Sequence, residues 1–246
     1  MSLPSCQVMN PISDEASYLA AITENPANEK KPAPGGRRKR SVGAWSKFWG
    51  NYRTLNITFL TEVPQGLQDY IESIIRQWEP STTLTFTFDA SLPGDIRIET
   101  NSTGDTSLIG TDAVTHPINK PTLTLATAPD HPEFEAVVLH EFGHALGLLH
   151  EHQHPKANIP WDRPKVYAFY ATNDNWTEAQ VDHNVFRTLP ADDLLSSAYD
   201  KESIMHYPVP NEITLGDWEV GINTRISKLD RRNMRKAYPK AKQLID

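Results

Sequence analysis

The sequence predicts an α+β domain: one twisted mixed sheet with a long, histidine-bearing helix beneath it and a loop-rich C-terminal lobe. Three observations carry this. Short runs alternate apolar and polar residues with the period of a strand. One segment between them repeats its apolar residues at three and four. A third, over residues 132–146, is apolar on most sides and holds His140, Glu141 and His144.

The elements follow in order. Residues 54–60 alternate and form the first strand. After Pro64, residues Leu67, Tyr70, Ile71, Ile74, Ile75 and Trp78 mark an amphipathic helix ending near Pro80. Strands are expected at 83–89, 95–99 and 122–126, with a polar, turn-rich stretch over 101–120 between the last two. The long helix spans about 132–146. Beyond His150, helices are expected at 163–170, 177–186 and 229–238, so that residues 151–246 form a lobe facing the sheet lobe. This β-α-β-β-β-α order suggests an α+β domain with one twisted mixed sheet.

Residues 1–41 read as a flexible extension, with a short helix at 13–22, and residues 42–246 as the folded domain. Residues 30–47 carry seven bases and no acid, including Arg37–Arg40 beside Pro and Gly. This stretch is a solvated basic linker, a processing site releasing a chain that starts near Ser41, or a nucleic-acid patch. The last conflicts with the rest: beyond residue 47 there are 17 basic and 27 acidic residues, a net of −10 within a chain of net −7. Nucleic acid is therefore not an expected partner.

With 246 residues and a mean hydropathy of −0.51, the chain can bury a core unaided and has no span for a membrane. The single cysteine, Cys6, excludes an intramolecular disulfide. No signal peptide is read at the N-terminus, which suggests a cytoplasmic or non-classically exported protein, although three N-glycosylation triplets, at Asn56, Asn101 and Asn175, are of the kind found on secreted chains. A monomer is expected.

The chemistry is concentrated in His140-Glu-Phe-Gly-His144-Ala-Leu-Gly147-Leu-Leu-His150-Glu151. His140 and His144 lie one helical turn apart on one side and can bind one Zn²⁺. Gly147 can take a positive φ, end the helix and swing His150 back as a third ligand. Three protein ligands leave a fourth position open, as catalysis requires. Glu141, beside the first ligand, can reach a water without ligating the metal.

This extended His-Glu-x-x-His-x-x-Gly-x-x-His run, with Ser203-Ile-Met205-His-Tyr207 55 residues later, resembles the metzincin clan of zinc endopeptidases and their methionine turn. Glu151 after the third histidine, Tyr207 two after the methionine, and the closing segment Ser227–Tyr238 resemble the astacin family. The resemblance covers about residues 42–239. It implies a two-lobed fold, one catalytic Zn²⁺ on His140, His144 and His150, and hydrolysis of extended peptides or proteins. It further implies Glu141 as general base, Tyr207 as resting fifth ligand and oxyanion donor, and Met205 as an apolar floor. Glu151 would partner the amino terminus left by cleavage after Arg40, or an internal group if no cleavage occurs. The strand at 122–126 would border the cleft and pair antiparallel with substrate. Arg163, Arg187 or Arg225 would favour acidic side chains near the scissile bond.

The chain departs from the family pattern in three places. The zinc run continues as Glu151-His152-Gln-His154-Pro, the family's cysteines are absent, and no Phe-x-Gly-Asp switch occurs in residues 1–40. His152 and His154 lie at the surface, support the metal ligands from behind, or form a second metal site. Cys6 is either a latency thiolate, as some metzincins use, or a free thiol. A non-catalytic, zinc-stabilised peptide-binding protein and a hydrolase of non-peptide amides are the alternatives.

Overall fold

The computed structural model describes residues 6–29, 46–190, 195 and 198–241. Arg37–Arg40 and Ser41 lie outside the described residues. The sheet has six strands in the order β1-β5-β6-β4-β2-β3. Here β1 is Gln7–Val8, β2 Thr54–Phe59, β3 Thr85–Thr87, β4 Ile96–Thr100, β5 Thr106–Ser107 and β6 Leu123–Leu125. Strands β3, β2, β4 and β6 run parallel, and β5 is antiparallel to β6.

Helices α2 (Gln65–Ile75) and α4 (Phe134–Ala145) pack together beneath the sheet. Their apolar stripes meet Leu55, Ile57, Ile96, Ile98 and Leu123 in one buried cluster. Phe142 enters this cluster fully buried, edge-on to Phe86 at 5.2 Å between ring centroids. A smaller core of Val166, Tyr170, Trp176, Val181, Val185 and Val209 supports the C-terminal lobe, around α5 (Arg163–Asn173) and α6 (Glu178–Val181). The two-lobed α+β architecture is thus as expected. In place of a helix over 177–186, α6 passes into one wide π-helical turn over Asp182–Phe186.

Two expectations are corrected. The strand at 122–126 is not the cleft edge: β6 is paired on both sides, by β4 and β5. The strand on that side of β6 is β5, from the polar stretch 101–120, whose two residues are too few to show a period; it is the edge of the sheet once β1 is set aside. The second concerns residues 1–41, which are not a flexible extension where they are described. Strand β1 pairs parallel with β5, and α1 (Asp14–Glu24) packs on α3 (Asp112–Thr115).

Three groups of polar contacts fix this segment. Ser17 Oγ donates to the buried Asp112 carboxylate, which also receives Lys47 Nζ at 2.5 Å. Glu24 accepts from Gly50 N at 3.1 Å and pairs with Arg53 at 2.6 Å. Asn28 donates to the carbonyls of Ala21 and Phe48 and accepts from Phe48 N. Such partners, tens of residues away in sequence, are what turn a polar, weakly periodic stretch into ordered structure.

The Asn56 triplet is also explained structurally. Its buried amide donates to the carbonyls of Asp89, Leu92 and Pro93, holding the loop between β3 and β4.

Phe142→Ala should remove a ring from the junction of α4 with the sheet and cost about 3–5 kcal/mol. A fall in the denaturant midpoint is the readout, and an unchanged midpoint would contradict the packing described.

Candidate active site

Helix α4 ends in a Schellman turn that positions the third histidine. Gly147 has φ +98°, Gly147 N donates to His144 O at 2.7 Å, and Leu148 N donates to Gly143 O at 3.0 Å. A side chain at Gly147 would meet both the unfavourable φ and the Phe48 ring, 2.7 Å from the Cβ position. The last carbonyls of the helix also have donors: Gly110 N to His144 O, Trp49 Nε1 to Ala145 O and Tyr238 Oη to Leu146 O. The reversed chain carries His150 back beneath α4.

Three histidines and one cysteine converge there. One ligand atom each from Cys6, His140, His144 and His150 lies within 4.8 Å of all the others. Nδ1 of His140 is 2.7 Å from Ile204 O, and Nδ1 of His144 is 2.8 Å from Leu148 O. A carbonyl only accepts, so both Nδ1 atoms carry the proton and both Nε2 atoms present lone pairs. The buried His140 Nε2 has no hydrogen-bond partner, and the Nε2 atoms of His144 and His150 face each other at 3.0 Å. A cation between them satisfies all three, so the residues fit a bound Zn²⁺. Burial pushes His140 down to about 4, and burial with the neighbouring rings pushes His144 and His150 well below the usual range, which keeps them neutral.

Glu141 is buried beside this cluster. Its Oε2 has no partner, and burial raises its carboxyl well above the usual range, against a hydrogen bond from Cys6 that lowers it. Tyr207 hydroxyl donates to the carbonyl of Cys6, so in this state it faces the N-terminal strand. Burial also raises the Cys6 thiol, and the Glu141 carboxylate adds to that rise.

Met205 lies against α4: a Cβ on Gly143 would come within 2.5 Å of its sulfur, so the helix is glycine where the methionine turn abuts it. That turn is anchored by a residue that sequence analysis did not single out. Asp230 is the third residue of α7 (Lys228–Ala237) and completes its capping box with Ser227. The same carboxylate accepts from Ser203 Oγ at 2.6 Å and Ile204 N at 2.9 Å. The Ile204 peptide therefore links Asp230 on one side to His140 Nδ1 on the other. The capping pattern was visible in Ser227-Lys-Leu-Asp230; its second use was not.

His152 and His154 are buried rather than at the surface. His152 stacks on Tyr207 at 4.2 Å and 25°, with Nε2 on Asn184 O. His206 meets Tyr199 Oη at 2.6 Å. Neither His152 nor His154 joins the histidine cluster. Glu151 Oε1 accepts from Asp200 N at 2.9 Å, and burial pushes its carboxyl up to about 8. Arg163 pairs with Asp182 at 2.9 Å and lies over Phe186 at 3.9 Å. None of Arg163, Arg187 and Arg225 lines the cavity beside Glu141.

A three-histidine cluster with an adjacent carboxylate over a methionine turn is the donor set of a zinc hydrolase. Comparison with known proteins agrees. Residues 42–239 match the family model for Astacin, a peptidase family. Two solved structures of myroilysin superpose on the chain. The first is 34% identical with a TM-score of 0.75, covering 79% of this chain and 97% of that one. The second is 30% identical with a TM-score of 0.64, covering 97% and 92%. High choriolytic enzyme 1, a hatching enzyme zinc-protease from the medaka fish Oryzias latipes, shares the fold at 19% identity, with a TM-score of 0.57 over 80% of this chain and 97% of that one. No curated protein matches the chain in sequence.

The chain belongs to the astacin family of zinc metallopeptidases. Its metal is zinc, its activity is peptide-bond hydrolysis and its substrates are proteins or peptides; the non-catalytic alternative is not favoured. Among the described residues, no helix is long and apolar enough to cross a membrane.

Asp230→Ala should leave Ser203 Oγ, Ile204 N and Ser227 N without their acceptor. It should lower stability by about 3 kcal/mol and zinc affinity by about 10- to 100-fold. Metal competition with a chromogenic chelator measures the second effect, and undiminished affinity would argue against the Ile204 link.

Proposed function

We propose that this protein is a zinc endopeptidase held latent by its own N-terminal segment. His140, His144 and His150 hold the metal, Glu141 is the general base and Tyr207 the oxyanion donor. The observation that carries the catalytic part is the convergence of three histidine nitrogens, with the buried, unpartnered Glu141 Oε2 lining the same cavity as His140.

Zinc, when bound, supplies a Lewis acid that polarises the scissile carbonyl and acidifies a coordinated water. The rest is done by the chain. Glu141 takes the proton of the attacking water and delivers it to the leaving amine. Its burial suits this, because loss of hydration makes the carboxylate a stronger proton acceptor than it is in water. Tyr207 donates its hydroxyl hydrogen bond to the carbonyl oxygen as negative charge develops. Its present partner, the carbonyl oxygen of Cys6, is a stand-in for that substrate oxygen. Met205 gives the histidines an apolar floor.

Latency is supported by where the N-terminal segment lies. Strand β1 takes the free edge of β5, the edge an extended substrate needs. It runs parallel to β5, whereas the family's substrates run antiparallel to the cleft edge, so its peptide bonds are presented in reverse. The Cys6 thiol completes a four-atom set with the histidines and fills the fourth position that catalysis needs open. Cleavage in the basic linker after Arg40 would free this segment. Glu151, half-buried beside a cavity of about 50 Å³, would then exchange the Asp200 amide for the new amino terminus.

Glu141→Gln should retain one zinc per chain and lose hydrolysis of casein by about 10²-fold or more; full activity in the zinc-replete variant would end the general-base assignment. Tyr207→Phe should lower kcat by about 10²-fold with little change in zinc content, and an unchanged kcat would refute its role. For latency, cobalt-substituted full-length protein should show a thiolate-to-metal charge-transfer band that is absent in Cys6→Ser. Cys6→Ser should also show higher basal proteolysis. A spectrum indifferent to Cys6 would remove the thiolate from the metal.

A further inference from the structure

The cavity that contains Glu141 and Tyr207 has a volume of about 480 Å³, within the range of a side-chain or small-ligand pocket. Its walls include the buried Val137, Ile204, Val209 and Val220. Three acidic side chains besides Glu141 also line it: Asp105, Glu212 and Glu219. Among the described residues, no lysine or arginine lines it. Asp105 is buried and held by Ala126 N, Thr127 N and Thr127 Oγ1. Glu212 and Glu219 are exposed, at the part of the lining that meets solvent.

We propose that this cavity is a specificity pocket for a long cationic side chain, arginine above all, on the substrate residue next to the scissile bond, with Glu212 and Glu219 as the selecting groups. This rests on the peptidase assignment and names the substrate class. An arginine or lysine has an apolar stem and a charged head. Buried against valine and isoleucine walls with its head at the exposed carboxylates, it satisfies both parts of the lining at once. Arginine is the better fit, because its guanidinium is more weakly hydrated than an ammonium and pairs with carboxylates through several fixed donors. An aspartate or glutamate in the same place would bring like charge against three acids. An aliphatic chain of equal length would match the walls and leave the carboxylates unused. Arg163, Arg187 and Arg225, which would favour acidic residues, are not among the residues lining this cavity.

The test uses Cys6→Ser protein cut once in the basic linker and assayed at high dilution, with three peptides identical except for arginine, norleucine or glutamate beside the cleaved bond, each side of the bond examined in turn. The arginine peptide should be hydrolysed with kcat/KM about fivefold or more above the norleucine peptide, and glutamate should be poorest. Neutralising both selecting groups, in Glu212→Gln/Glu219→Gln, should bring the arginine-to-norleucine ratio close to one. Raising the salt from about 0.05 M to 1 M should shrink the same ratio in the unaltered pocket, a measurement that does not depend on how the double variant folds. A ratio near one at low salt overturns the proposal, and so does a preference for glutamate or a ratio that salt and both substitutions leave intact.

The same peptides are also titrated by fluorescence anisotropy against Cys6→Ser/Glu141→Gln cut in the same way, which needs no turnover. Preferential arginine binding in that variant, with no hydrolysis by Cys6→Ser protein cut in the basic linker, would defeat the peptidase assignment and leave the pocket standing. Hydrolysis without arginine preference would do the reverse.

Discussion

The positive φ of Gly147 is the constraint on which the site depends. Two histidines on adjacent turns of a helix can always face one way. A third can join them only if the chain reverses within three residues of the second. The Schellman turn does this, and it also supplies the carbonyl of Leu148, which orients His144. One backbone conformation thus places His150 and fixes the tautomer of its neighbour. Phe48 closes over the glycine, so the strand-bearing lobe leaves no room for any other residue there.

The rest of the scaffold holds this turn and its partner loop in place. Trp49 and Tyr238 donate into the end of α4 from opposite ends of the sequence. Asp230 does the same for the methionine turn, and the Ile204 peptide passes that support on to His140. The acid that caps the last helix is therefore part of the metal site at one remove. Such outer contacts are what keep imidazoles aimed at a common point when no covalent link joins them.

Most of the fold was legible in the sequence because its elements are local. The period-two runs at β2 and β4, the three-four repeat of α2 and the histidine helix are each decided within a dozen residues. The three histidines, Glu141, Met205 and Tyr207 were legible for the same reason, as two short motifs. What sequence could not reveal was pairing at a distance. Strand β5 has two residues and no pattern of its own; it is a strand because β6 and β1 flank it. Cys6 carries no switch motif, yet more than 130 positions separate it from the histidines it meets. Residues 6–29 have little periodicity of their own, and their order comes from contacts with the domain they cover. Asp230 reads as a capping residue, and its second set of donors lies in a loop that only folding brings near.

Strand β1, α1 and the Asn28 contacts dock as one continuous piece joined by sequence to the domain they cover. On the latency proposed above, the N-terminal segment of the whole chain is present at an effective concentration set by its tether and does not respond to dilution. A single cut in the basic linker changes the order of the reaction. The same contacts then join two molecules, and their occupancy falls as the protein is diluted. Spread over three separate anchor points, they let the segment stay bound where enzyme is crowded and leave where it is sparse. A severed chain would on this account remain quiet at its source and become active as it disperses.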